Sequence, residues 1–195
     1  MGWQRWHEAL AARVSGERLA HCERTALLCR EAAAAHPAWG VDPERAALAG
    51  LLHDWGRGEG TAEAMLAAAA RYGVPVSPAA RRRPVALLHA PVGAASLRAA
   101  GLVDEEVLTA VALHTVGAAG MGALSLLVYT ADFCEPGRTH PGACEVRAVL
   151  AADLRAAARL ATRYTLEHLL AGGEMVEAGA VALWNDLVRL GEVDG

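Results

Sequence analysis

Residues 42–60 read Asp42-Pro43-Glu44-Arg45-Ala46-Ala47-Leu48-Ala49-Gly50-Leu51-Leu52-His53-Asp54-Trp55-Gly56-Arg57-Gly58-Glu59-Gly60. Asp42 suits a helix N-cap, Pro43 the first helical position, and Glu44 the positive end of the helix dipole. From Ala46 to Leu52 every residue is apolar or small, which predicts a buried helix running to about Trp55. Gly56, Gly58 and Gly60 then break it. His53 and Asp54 therefore fall at the end of a buried helix. Ionisable groups there are costly unless they are paired or bound to a metal.

The same punctuation continues outward in both directions. Ser15 caps a helix from Gly16 to about Ala35, which His36-Pro37 ends. Thr61 caps one to about Tyr72, and Ser77-Pro78 starts a short piece. Pro84 to Ala100 reads as helix with Pro91 disturbing it. Asp104 caps a helix to about His114, and Gly122 to Phe133 forms the next. Pro136 to Gly142 is a loop. Cys144 to Leu170 reads as one long Ala- and Arg-rich helix, stopped by Gly172-Gly173, and Gly179 to Leu190 is the last. No stretch alternates like a strand, and no internal repeat is present.

Composition agrees with this pattern. Of 195 residues, 45 are alanine, the strongest helix former, and 54% are hydrophobic against 21% charged, which excludes a disordered chain. The expected fold is all-α: one domain over 1–195 with about eight to ten helices. Residues 15–138 form its motif-bearing core, and the helices of 144–190 pack on it. A net charge of −4 gives no reason to expect nucleic-acid binding. All 18 basic residues are arginine. Val107 to Ala131 carries no Asp, Glu or Arg and is long enough to span a bilayer. Gly117, Gly120 and Gly122 split it, so two buried helices and no membrane span are expected. The N-terminus has no apolar secretory region, and Cys22, Cys29, Cys134 and Cys144 show no CxxC spacing. The expectation is reduced thiols in the cytoplasm.

Four of the eight histidines, His7, His36, His140 and His168, have polar or proline-flanked surroundings and read as surface or capping residues. The others do not. His21 follows Arg18 by one helical turn. His53-Asp54, His89, His114 and Asp132 each end an apolar run. A His-Asp dipeptide alone says little: eight histidines and seven aspartates give about 0.3 such pairs by chance. A single histidine in an apolar helix is most often a satisfied core residue. Taken together, one shared metal accounts for the whole set. Imidazole and carboxylate donors suit iron, manganese, zinc or nickel.

The order His21, His53-Asp54, Asp132 resembles the HD superfamily of metal-dependent phosphohydrolases. Five segments bring the resemblance closer to the YqeK-type bacterial proteins. They are Arg18-x-x-His21, Ala49-Gly50-Leu51-Leu52-His53-Asp54, Leu87-Leu88-His89-Ala90-Pro91-Val92-Gly93-Ala94, Ala112-Leu113-His114-Thr115-Val116-Gly117 and Ala131-Asp132-Phe133-Cys134-Glu135-Pro136-Gly137-Arg138. The resemblance implies a single HD-domain helical bundle. It also implies symmetrical hydrolysis of diadenosine tetraphosphate to two ADP. It assigns a metal, iron first, to His21, His53, Asp54 and Asp132. His89 and His114 then hold a second metal that Asp54 bridges, or hydrogen-bond phosphate beside a single one; the sequence leaves both open. One departure is Arg57, where the resembled proteins usually carry lysine, so a point cation becomes a planar fork.

Whatever the metal count, a bound cation lowers the pKa of water and polarises a phosphoryl oxygen. Asp54, Arg57, His89 and His114 are the catalytic candidates. Arg18, Arg57, His89, His114, Thr115 and Arg138 are the candidates for substrate contact. Each arginine also has a bland alternative: Arg18 pairing with an acid one turn away, Arg138 with Glu135, Arg57 capping its helix. Trp55 reads as core packing rather than a base stack. Arg81-Arg82-Arg83 reads as a solvated face, and Arg147, Arg155, Arg159 and Arg163 as an exposed stripe. Other nucleotides as substrate, or a metal-binding regulatory protein without catalysis, remain open, as does a homodimer.

Overall fold

The computed structural model describes residues 3–191, and these are helical throughout, with no strand among them. Eleven α-helices follow in order: α1 (Trp3–Ala11), α2 (Gly16–Ala35), α3 (Pro43–Leu52), α4 (Ala62–Tyr72), α5 (Pro78–Arg82), α6 (Pro84–Ala99), α7 (Glu105–Leu113), α8 (Ala123–Cys134), α9 (Pro141–Leu150), α10 (Leu154–Ala171) and α11 (Ala178–Gly191). Two 3-10 segments, Pro37–Trp39 and Trp55–Glu59, lie before and after α3.

The capping residues act as their chemistry dictates. Ser15, Asp42, Thr61 and Ser77 each accept the amide of the residue three positions on, and Asp104 accepts two. The eleven helices exceed the expected eight to ten for one reason. The expected long helix over Cys144–Leu170 is two, because Asp153 turns to cap a fresh one at Ala156. Pro91 does not break α6, which runs on to Ala99. The uncharged stretch Val107–Ala131 is α7 and α8 joined by a glycine-containing loop. Among the described residues no helix is long and apolar enough to cross a membrane.

The centre of the bundle is α2, α3, α7 and α8, with α9, α10 and α11 beyond α8 and α1 against α2 and α3. Leu51, Leu52, Leu97, Val111 and Leu127 are fully buried there. Each fully buried leucine contributes about 1.5–3 kcal/mol. A smaller cluster of Met65, Ala69, Leu88 and Val92 joins α4 to α6.

Two close approaches position the site. A Cβ on Gly50 would lie 2.9 Å from Ala26 Cα, so glycine lets α3 press its backbone onto α2. A Cβ on Gly56 would lie 2.1 Å from His89 O, and one on Gly93 2.9 Å from Gly56 N. The 3-10 segment after Asp54 therefore rests directly on the backbone of α6. The first contact brings His53 to His21, and the second brings Asp54 to His89.

Candidate metal centre

Six elements deliver six donor residues to one point. His21 comes from the second turn of α2. His53 is the C-cap of α3 and Asp54 the N-cap of the 3-10 segment that follows. His89 lies in α6, His114 is the C-cap of α7, and Asp132 lies in the last turn of α8. His53 is fully buried, and Asp54, His89 and His114 are nearly so. Three overlapping triads, His21–His53–Asp54, His53–His114–Asp132 and Asp54–His89–His114, each hold their donor atoms within 4.8 Å of one another.

Asp54 sits between two halves. Its Oδ2 lies 3.5 Å from His53 Nε2 and 3.9 Å from His21 Nε2. Its Oδ1 lies 3.2 Å from His89 Nε2 and 3.8 Å from His114 Nε2. Asp132 Oδ1 adds contacts of 3.0 Å to His21 Nε2 and 3.6 Å to His53 Nε2. Each oxygen of Asp54 thus faces a pair of imidazoles, an arrangement suited to a bridging carboxylate.

All four rings turn Nε2 inward, and the outward Nδ1 atoms explain why. His53 Nδ1 lies 2.7 Å from Gly50 O, His89 Nδ1 3.0 Å from Val85 O, and His114 Nδ1 2.8 Å from Val111 O. A carbonyl only accepts, so these Nδ1 atoms carry hydrogen and donate. In the neutral ring Nε2 is then a bare acceptor. Yet His89 Nε2 and His114 Nε2 lie 3.0 Å apart, and both point at a carboxylate oxygen. Thr115 Oγ1 is 3.1 Å from each, and its single hydrogen serves one. Acceptors converging on acceptors call for a cation at their focus. Four imidazoles and two carboxylates with no thiolate fit a divalent transition metal.

Without metal, the buried rings differ in charge. Burial pushes the His89 and His114 imidazoles down, His114 to about 3, so both are neutral at physiological pH. Burial also opposes charge on His53, but Asp54 and then Asp132 outweigh it and raise that ring to about 9. Asp54 and Asp132 are likewise held below the usual carboxylate range against their burial, Asp54 chiefly by His53, Asp132 chiefly by His21.

The cationic candidates ring this cluster. Arg18 Nη1 donates to Asp54 Oδ2 at 2.7 Å, rather than to an acid one turn away. Arg57 does not cap its helix: Nε donates to Asp54 Oδ1 at 3.2 Å and Nη1 to Val85 O at 3.3 Å. Arg138 Nη2 donates to Asp132 Oδ1 at 3.3 Å and stands 4.0 Å from Glu135. A groove of about 200 Å³ opens from the centre, lined by Arg57, His89, His114, Thr115, Arg138 and Phe133, the chain's one phenylalanine. His140 also lines it while capping α9, in keeping with the surface or capping role its sequence context indicates. Trp55 is core, 4% exposed, its indole N–H on Ser96 and its ring edge-on to Trp6.

Sequence patterning alone misses three residues. Glu135, 2% exposed, accepts from Arg24 Nε at 2.6 Å and from Gly137 N at 2.5 Å, and meets His21 Nδ1 at 3.2 Å. Burial opposes charge on this carboxyl, but Arg24 and the Gly137 amide pull it down to about 2. The available signal was spacing: Arg24 follows His21 by three residues on one helix face, and Glu135 follows Asp132 by three as the C-cap of α8. Arg147, expected on an exposed stripe, instead donates to the carbonyls of Cys134, Glu135 and Arg138 and holds the loop after α8. Arg155, Arg159 and Arg163 are exposed, as are Arg81, Arg82 and Arg83.

Comparison with known proteins bears directly on this centre. The HD domain family matches residues 18–163, a span that contains every donor named above. The chain belongs to the HD domain family. It is an HD phosphohydrolase by that membership, with a His/Asp cluster able to hold a divalent metal. It is 34% identical over 151 residues to a Bacillus subtilis protein named symmetrical bis(5'-nucleosyl)-tetraphosphatase, covering 77% of this chain and 80% of that one. A Halalkalibacterium halodurans protein of the same name is 36% identical over 103 residues, covering 52% of this chain and 55% of its own. Among solved structures, an HD superfamily hydrolase described as involved in NAD metabolism, from Clostridium acetobutylicum, superposes with a TM-score of 0.88 at 25% identity. That match covers 97% of this chain and 98% of the other.

Proposed function

We propose that this HD protein hydrolyses diadenosine tetraphosphate symmetrically, releasing two ADP, at a centre of two metal ions that share Asp54. The carrying observation is the convergence of imidazole and carboxylate acceptors on both sides of Asp54, with His89 Nε2 and His114 Nε2 only 3.0 Å apart. His21, His53, Asp54 and Asp132 would hold one ion, and Asp54, His89 and His114 the other. Iron is the proposed metal, with manganese, nickel and zinc compatible with the same donors. When bound, such an ion lowers the pKa of a water and polarises a phosphoryl oxygen.

The chain's own residues do the rest. A tetraphosphate is densely anionic, and Arg18, Arg57 and Arg138 stand at the rim with side chains 36%, 30% and 43% exposed. Each now pairs with Asp54 or Asp132. With a cation bound, those guanidinium hydrogens would be available to phosphate oxygens, where charge-assisted bonds are strongest. Thr115 Oγ1, between His89 and His114, is placed to donate to an oxygen at the same point. Substrate identity is supported by the names of the two relatives, and the activity belongs to a site rather than to a fold. The same reading takes 1–195 as one HD domain in the cytoplasm.

The test is early-product chromatography with diadenosine tetraphosphate beside a panel of mononucleotides, deoxynucleotides and guanosine alarmones. Two ADP as the sole early product supports the proposal. Equal ATP and AMP refutes the symmetrical cut. Faster turnover of another nucleotide moves the substrate within the phosphohydrolase class. No turnover of any, with metal bound, favours a regulatory protein.

A further inference from the structure

We propose that Glu135 is a positioning residue for the metal centre: its carboxylate fixes the ring of His21, and Arg24 fixes the carboxylate. The inference rests on the assignment of His21 as a metal ligand and adds a residue to that site. Among the four inward-facing histidines, His21 alone has an Nδ1 partner that is not a carbonyl. His53 and His114 sit at helix ends, where the last carbonyls have no intrahelical amide and are free to take a ring N–H. His89 finds Val85 O one turn back on its own helix. His21 holds the same place in α2 as His89 in α6, yet its Nδ1 turns away from its own helix.

Glu135 supplies its partner from 114 residues away, with Oε1 at 3.2 Å from His21 Nδ1. A carboxylate in that position holds hydrogen on Nδ1, turns Nε2 inward and raises the basicity of the ring as a ligand. The carboxylate is itself held rigidly. Arg24 donates through Nε at 2.6 Å to Oε2 and through Nη2 at 3.2 Å to Oε1, and Gly137 N–H lies 2.5 Å from Oε2. Arg24 stands one turn beyond His21 on α2. The helix that carries the ligand therefore also carries the cation that anchors the ligand's orienting group. Glu135 is 2% exposed, so water does not substitute for it.

The experiment is a titration of metal-free protein with Co(II), following its visible absorption spectrum, in four forms: parent, Glu135→Gln, His21→Ala and the double variant. Co(II) affinity of Glu135→Gln is expected to fall by about 10- to 100-fold with a changed spectrum. In the His21→Ala background the same substitution is expected to change affinity less than about two-fold, since mutations acting through one contact are not additive. Equal losses in both backgrounds overturn the proposal. So does a lowered melting temperature with unaltered Co(II) affinity, which marks a merely structural carboxylate. If Glu135→Gln does not fold by circular dichroism, Arg24→Gln takes its place, with a smaller loss that again requires His21. Parent protein that takes up no Co(II) refutes the metal assignment and this inference with it. Parent uptake with unchanged Glu135→Gln and Arg24→Gln refutes the inference alone.

Discussion

His89 Nε2 and His114 Nε2 face each other across 3.0 Å, although each neutral ring already directs its one hydrogen away, to Val85 O and Val111 O. A cation between the pair and Asp54 Oδ1 resolves that opposition. Elemental analysis of protein purified without chelator is therefore expected to find two divalent transition-metal ions per chain. His114→Ala is expected to retain one and to lower kcat/KM by about 10²-fold or more, equivalent to about 2.7 kcal/mol of transition-state stabilisation. A single ion in both proteins would leave His89 and His114 as phosphate contacts.

Asp54→Ala removes the carboxylate that both halves share. It is expected to abolish metal content and activity together. Metal-free protein should suffer too, because the protonated His53 ring and Arg18 lose their partner. Breaking a buried pair from one side costs about 3–5 kcal/mol. Chemical denaturation of chelated parent and variant measures that loss, and an unchanged midpoint would show that Asp54 carries no structural load.

Arg57→Ala is expected to leave metal content intact and lower kcat/KM by about 10²-fold. Arg57→Lys restores a cation without the fork that reaches both Asp54 Oδ1 and Val85 O, so it should recover part of the activity. Melting temperature, bound metal and kcat/KM measured on one preparation separate these effects. Normal catalysis in the alanine variant would remove Arg57 from the site.

Cys22, Cys29 and Cys134 are buried, and only Cys144 is exposed. Burial pushes all three inner thiols upward, Cys134 to about 12. The thiolate is the reactive form, so native protein near neutral pH should consume one equivalent of a thiol reagent and unfolded protein four. More than one fast thiol in the native state would contradict the packing around α2 and α8.

Asp153→Ala should lower stability by about 1 kcal/mol, because it deletes the cap that begins α10. In a chain this long that amounts to roughly 2–4 °C in melting temperature. Metal content should not change, since α10 contributes no donor.

The helices and the ligands were legible for the same reason: both are written in local patterns. Caps such as Ser15 and Asp42 act within three residues, and His53, His114 and Asp132 stand out at the ends of apolar runs. Asp153 escaped because it lies inside an Ala- and Arg-rich stretch whose composition favours unbroken helix. The partners of the arginines escaped because they are set by packing. Arg18 reaches Asp54 across 36 positions only because Gly50 lets α3 lie against α2. Glu135 meets His21 across 114 positions. Arg147 sits at regular spacing with Arg155 and Arg159, yet a helix break turns it to the loop after α8. No local pattern reports such contacts.

The pinning of His53, His89 and His114 to backbone carbonyls of their own helices bears on how the ion is acquired. Hydrogen bonds that already fix three of the four rings leave less side-chain ordering for an ion to impose when it binds. A mould of imidazole and carboxylate accepts several divalent ions, and affinity alone ranks them poorly for the cell's purposes. For such a ligand set, geometry and the supply of ions choose among the candidates together.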